Sequence, residues 1–98
     1  MAGTVLQPGV VIGVNSIINT GAIIDHDSKI GAHCHVAPGC TLSGSVRVGD
    51  ASHIGTGATV IESIRIGAKV VVGAGTVVIR DLADGKRVIG VPARDMTS

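Results

Sequence analysis

The segment Ile30-Gly31-Ala32-His33-Cys34-His35-Val36-Ala37-Pro38-Gly39-Cys40-Thr41-Leu42 carries an aliphatic residue at every sixth place: 30, 36 and 42. A small residue, Cys34 and then Cys40, follows each of the first two four places later. The spacing continues in both directions. Upstream it meets Ile24, Ile18, Ile12 and Leu6; downstream it meets Val48, Ile54, Val60, Ile66, Val72 and Val78. Thirteen successive members are Ile, Leu or Val, types that supply 30 of the 98 residues. Chance would align them so about once in a million trials, so the chain is a hexapeptide repeat. The series stops at Asp84.

The cysteines belong to a second series: Val10, Ser16, Ala22, Ser28, Cys34, Cys40, Val46, Ser52, Ala58, Ile64, Val70, Thr76 and Leu82. Each member is small or aliphatic, and neither series holds a charge, so both are expected to point inward. Period six matches neither a helix nor simple alternation. It fits short flat strands joined by sharp corners, three strands to a triangular turn of 18 residues. The glycines show that longer period, as Gly3, Gly21, Gly39, Gly57 and Gly75, and as Gly13, Gly31, Gly49 and Gly67. Glycine serves where φ is positive or backbones approach closely, so these columns are read as corners. Residues 18 apart should stack at about 4.8 Å. Roughly four and a third coils run from Leu6 to Ala83 on this count. The expected organisation is a repeat domain over 1–83 and a capping tail over 84–98.

Composition narrows the function. The chain lacks Phe, Tyr and Trp, which removes base stacking and aromatic interface anchors. A net charge of +1 offers no field for nucleic acid or an anionic membrane. No apolar run is long enough to span a bilayer, and Met1-Ala2-Gly3-Thr4 does not read as a signal peptide. The expected setting is cytoplasmic. Cys34 and Cys40, six residues apart on an extended path, are too distant to bridge and are read as free, buried thiols.

The pattern resembles the hexapeptide motif of single-stranded left-handed parallel β-helices. The left hand comes from that resemblance, since ordinary parallel crossovers are right-handed. Within it, Asn19-Thr20-Gly21-Ala22-Ile23-Ile24-Asp25-His26-Asp27-Ser28, with a second histidine, His35, nine residues after the first, resembles the sialic acid O-acetyltransferases and bacterial UDP-amino-sugar N-acetyltransferases. The ending Val88-Ile89-Gly90-Val91-Pro92-Ala93-Arg94 is similar to many acyltransferases of that fold. The resemblance implies acetyl-CoA as acyl donor, a sugar amine or hydroxyl as acceptor, and a homotrimer. Exposed aliphatics outside both series, such as Val11, Ile17 and Val71, and closed symmetry make the trimer reasonable. Enzymes of this kind usually carry an N-terminal α/β domain for the nucleotide sugar, and this chain starts at the repeats. The rival expectation is therefore a non-catalytic trimeric module without an acceptor site.

Acyl transfer from a thioester needs a base, and a neutral imidazole suits that task near pH 7. His26 lies outside both inward series. Its 18-residue column reads Pro8, His26, Gly44, Glu62, so Gly44 should leave space beside the ring and expose an N–H for the developing oxyanion. An acidic neighbour would orient the ring. Adjacent side chains on a strand point to opposite faces, so the bend of the corner decides whether Asp25 or Asp27 reaches it. Asp27 is placed with His26 and Gly44 in the catalytic set, and Asp25 with the donor site.

The resemblance makes His35 and Asn19 donor contacts, and His53 should stack beside His35. Gly55 and Gly73, in the column of Asn19 and Ala37, would offer a smooth wall to the pantetheine arm. Arg80 and Arg94 are the cations assigned to the phosphates. His33 is read as surface. No metal is expected, because the histidine gaps of 7, 2 and 18 do not match the ligand spacing of β-helical carbonic anhydrases. No acyl-enzyme is expected, because both thiols face inward.

Overall fold

The computed structural model describes residues 4–96, so Gly3, the first of its glycine column, lies outside the described residues. Strands of two residues begin every six residues from Val5 to Val78 and stack as three parallel sheets. Sheet I contains β1 (Val5–Leu6), β4 (Ile23–Ile24), β7 (Thr41–Leu42), β10 (Thr59–Val60) and β13 (Val77–Val78). Sheet II contains β2 (Val11–Ile12), β5 (Lys29–Ile30), β8 (Arg47–Val48) and β11 (Arg65–Ile66). Sheet III contains β3 (Ile17–Ile18), β6 (His35–Val36), β9 (His53–Ile54) and β12 (Val71–Val72), then β14 (Arg87–Ile89) and β15 (Arg94–Asp95). From β1 to β13 each residue pairs with the one 18 places on, as in Ile17↔His35↔His53↔Val71. The result is a β-helical prism of 36 × 21 × 21 Å.

The second residue of each strand fills the core. Ile18, Ile24, Val36, Leu42, Ile54, Val60, Val72 and Val78 are all at most 1% exposed. The first coil is less covered: Leu6 is 48% exposed and Ile12 is half-buried against the core, because no earlier described coil lies over them.

The second series tightens the corners chemically. Ser16, Ser28 and Ser52 hydroxyls donate to the carbonyls of Gly31, Ser43 and Gly67, fifteen residues ahead in the next coil. Cys34 and Cys40 thiols do the same toward Gly49 and Gly55. The three serine oxygens also accept from the N–H groups of Cys34, Val46 and Val70, eighteen residues ahead. Each tie satisfies a polar group that would otherwise be buried without a partner, and such a bond contributes about 1 kcal/mol net.

The corners differ from the glycine reading. Gly21, Gly39, Gly57 and Gly75 do occupy the left-handed region. Two further left-handed columns carry other residues: Asp27, Ser45 and Ser63 after Gly9, and Asn15, His33, Ala51 and Lys69. The column Gly13, Gly31, Gly49, Gly67 is instead a place of close approach. A Cβ on Gly13 would sit 2.5 Å from the Gly31 carbonyl carbon.

The winding does not stop at residue 83. Leu82 bridges Ile66 and Val88 pairs with Val72, sixteen residues apart in place of eighteen. The last coil is two residues short, which moves Asp84 out of the core phase. Asp81 and Asp84 carboxylates then accept from the N–H groups of Arg65 and Ala68. β15 returns antiparallel on β14 and closes this end.

Candidate active site

The corner between sheets I and II carries His26, Gly44, Glu62 and Arg80 in one column. Asp27 takes φ +60° there, and this bend settles which carboxylate meets the ring. Asp27 Oδ2 lies 3.4 Å from His26 Nδ1, both side chains being largely exposed. Asp25 turns the other way and accepts from the His26 backbone N–H at 2.7 Å. It therefore braces the turn and does not touch the imidazole. Gly9 leaves room for Asp27, since a Cβ on Gly9 would collide with its carboxylate.

Gly44 is buried, and what covers it is the His26 ring. A Cβ on Gly44 would lie 2.8 Å from both Nε2 and Cε1. The space expected beside the ring is thus occupied by the ring itself. Among the described residues, the Gly44 carbonyl accepts from Ser63, while its N–H has no acceptor. With Nδ1–H directed at Asp27, Nε2 keeps its lone pair beside the residue that carries this unbonded N–H. A base and an oxyanion donor at one place is what acyl transfer requires. The 3.4 Å contact is long for a hydrogen bond.

Asn19 and His35 meet on a different side, where sheet III turns toward sheet I. Asn19 Nδ2 is 2.6 Å from His35 Nε2 and 3.2 Å from the Val36 carbonyl oxygen. His53 stacks on His35 with ring centroids 4.7 Å apart and planes at 80°. Burial first, and then the neighbouring His35 imidazole, hold the His53 pKa below its usual value. The chain does not bring this cluster to His26: the two lie on different edges of the prism.

The other assigned residues are dispersed. A Cβ on Gly55 would lie 2.6 Å from the Val72 carbonyl oxygen, so that glycine answers to coil packing. Gly73 is covered by the Ile89 side chain rather than open as a wall. Arg80 lines a cleft of about 400 Å³ beneath the tail, away from His26. Arg94 is exposed on β15, while the nearby Lys86 and Asp95 pair at 2.7 Å. His33 is exposed at its corner. A column of Lys29, Arg47 and Arg65 runs along the outer face of sheet II; no motif marks it in the sequence, although an outward 18-residue count finds it.

Among the described residues no three His, Cys, Asp or Glu side chains gather as a metal site. Cys34 and Cys40 are free and buried, and burial pushes the Cys40 thiol pKa up, which makes it a poor nucleophile. No described helix is long and apolar enough to cross a membrane.

No family model and no curated protein sequence matches the chain. Solved structures do. The acetyltransferase domain of PglB from Neisseria gonorrhoeae, in complex with acetyl coenzyme A, is 43% identical with a TM-score of 0.96, over 98% of this chain and 47% of that one. A point mutant of perosamine N-acetyltransferase from Caulobacter crescentus, in complex with CoA and GDP-perosamine, is 42% identical with a TM-score of 0.88, over 98% and 51%. WeeI from Acinetobacter baumannii is 31% identical with a TM-score of 0.86, over 96% and 50%. The chain spans about half the length of these proteins. A six-residue aliphatic period, three stacked parallel sheets and these likenesses along nearly its whole length place the chain in the hexapeptide-repeat sugar acetyltransferase family, as a β-helical repeat domain.

Proposed function

We propose that the chain transfers an acetyl group from acetyl-CoA to the amine or hydroxyl of a sugar, with His26 as general base. The observation that carries this reading is the His26 ring lying against Gly44, in the place a side chain would take, with Asp27 at its Nδ1. The acceptor's nitrogen or oxygen attacks the thioester carbonyl while Nε2 takes its proton. The oxyanion that forms is stabilised by the Gly44 N–H. Asp27 favours the imidazolium over that interval. Collapse breaks the C–S bond, and the thiolate of CoA takes the proton back from His26. Acetyl coenzyme A and GDP-perosamine in the related structures support a thioester donor and a nucleotide-linked amino sugar among the acceptors.

The working unit is a homotrimer with its sites between prisms. Support comes from the separation of His26 from Asn19 and His35, which a neighbouring copy would remove, and from exposed Val11, Ile17 and Val71 on the flat faces. Arg80 and Arg94 serve the CoA phosphates. The free thiols and the donor fit a cytoplasmic setting.

Acetyl-CoA at millimolar concentration should raise the melting temperature, because a ligand bound only by the folded state stabilises it. Light scattering should give three times the 9.7 kDa chain mass. No thermal shift would leave the chain a non-catalytic module, and a monomer would remove the intersubunit site.

A further inference from the structure

We propose that Asn19 and His53 are positioning residues for His35: Asn19 fixes the proton on Nδ1, and His53 holds the ring that presents it to a carbonyl-bearing ligand. The use of His35 toward the acetyl donor rests on the function proposed above; the proton assignment does not.

The Val36 backbone oxygen can only accept, so the Asn19 atom 3.2 Å from it must be the amide nitrogen. That nitrogen carries two hydrogens. One goes to Val36, and the other faces His35 Nε2 at 2.6 Å. Nε2 must then accept, which leaves His35 neutral with its single proton on Nδ1. Turning the Asn19 amide over would direct its oxygen at the Val36 oxygen and lose that bond. Protonating Nε2 would set two donors against each other. The backbone carbonyl thus dictates the imidazole tautomer through one side-chain amide.

The second constraint is geometric. β6 and β9 are in register, so the two imidazoles share one outward column. They meet edge to face, the arrangement aromatic rings favour. Ile17 on one side and Val71 on the other complete the column with aliphatic side chains. A ring fixed at one nitrogen by Asn19 and along its edge by His53 has little freedom left. It offers one N–H donor, as a thioester or amide carbonyl requires.

The test reads the ring nitrogens directly. Long-range proton–nitrogen correlation spectra of the histidine-labelled chain should show His35 with Nδ1 protonated and Nε2 bare. Asn19→Ala should convert it to a mixture of tautomers. His53→Ala should weaken acetyl-CoA binding about tenfold and His53→Phe, which keeps the ring edge, should restore it. A wild-type His35 carrying its proton on Nε2 overturns the proposal without recourse to any variant. So does an unchanged tautomer in folded Asn19→Ala, or a failure of His53→Phe to rescue. Acetyl-CoA affinity in His35→Ala is read separately: an unchanged value, beside the expected wild-type tautomer, sinks the donor-site reading and leaves the proton assignment standing.

Discussion

Replacing Gly44 by alanine separates chemistry from folding with one carbon atom. The new Cβ would stand 2.8 Å from His26 Nε2 and Cε1 and 3.4 Å from Nδ1. Ordinary contact needs about 3.4–4 Å, so the ring must retreat by roughly 0.6–1.2 Å. It can do so at small cost, since the His26 side chain is 61% exposed and Gly44 does not use the left-handed region. Gly→Ala at a compatible position also restricts the unfolded chain by about 0.4–1 kcal/mol, so the melting temperature should stay close to wild type. Turnover should fall about 10²-fold, the usual consequence of a base misplaced by 1 Å. The control is Gly49→Ala, whose Cβ would lie 2.6 Å from backbone atoms of Gly67 and Ala68. Coils would have to part there, so folding should suffer. The assay is thiol release from acetyl-CoA over a panel of amino sugars and their nucleotide conjugates, beside thermal melts. The His26 ring shifts report the displacement independently of turnover. A Gly44→Ala protein with wild-type turnover and unmoved ring signals would refute the reasoning, as would one that unfolds like Gly49→Ala.

His26→Ala should lower turnover by roughly 10²–10⁴ while keeping the thermal shift from acetyl-CoA; His33→Ala should leave both unchanged, and equal effects of the two on turnover would remove the base assignment. Ile54 is fully buried and Val71 is 36% exposed, so Ile54→Asp should abolish folding, whereas Val71→Asp should weaken assembly; sedimentation and circular dichroism distinguish them. The depressed His53 pKa means that the fold disfavours its charged form. Stability from this group is therefore full above the ordinary value of 6.5 and is lost as pH falls through the folded value. His35 and, beyond Val71, Arg87 are the other titratable groups in that column. Melting temperatures between pH 7.5 and 5 should fall less in His53→Phe than in wild type, and parallel curves would count against the effect.

The six-residue series was legible because it repeats one physical requirement thirteen times: an aliphatic residue at the inward place of each strand. Gly44 beside His26 was legible for the same reason, since stacking turns an 18-residue offset into a contact. The choice between Asp25 and Asp27 was not, because it depends on a positive φ at Asp27 that its residue type permits without announcing. Two left-handed columns are hidden likewise, being filled, apart from Gly9, by Asn, His, Ala, Lys, Asp and Ser. The serine and cysteine ties were hidden by size: a small residue in a tight place reads the same whether or not its hydroxyl is used. The sixteen-residue last coil showed only as an interruption at Asp84. The separation of His26 from His35 follows from counting corners, which a linear motif does not do.

The hydroxyl and thiol ties belong to two coils at once, and this makes the prism a ruler with fixed graduations. Loss of one residue in a strand would leave the serines whose ties span it aimed at the wrong carbonyl. Loss of eighteen would hand each an equivalent partner. Length along the axis can therefore change only in whole steps of about 4.8 Å. The height at which His26 stands above the closing strand β15 is quantised, and any groove running between the two is cut to a whole number of coils.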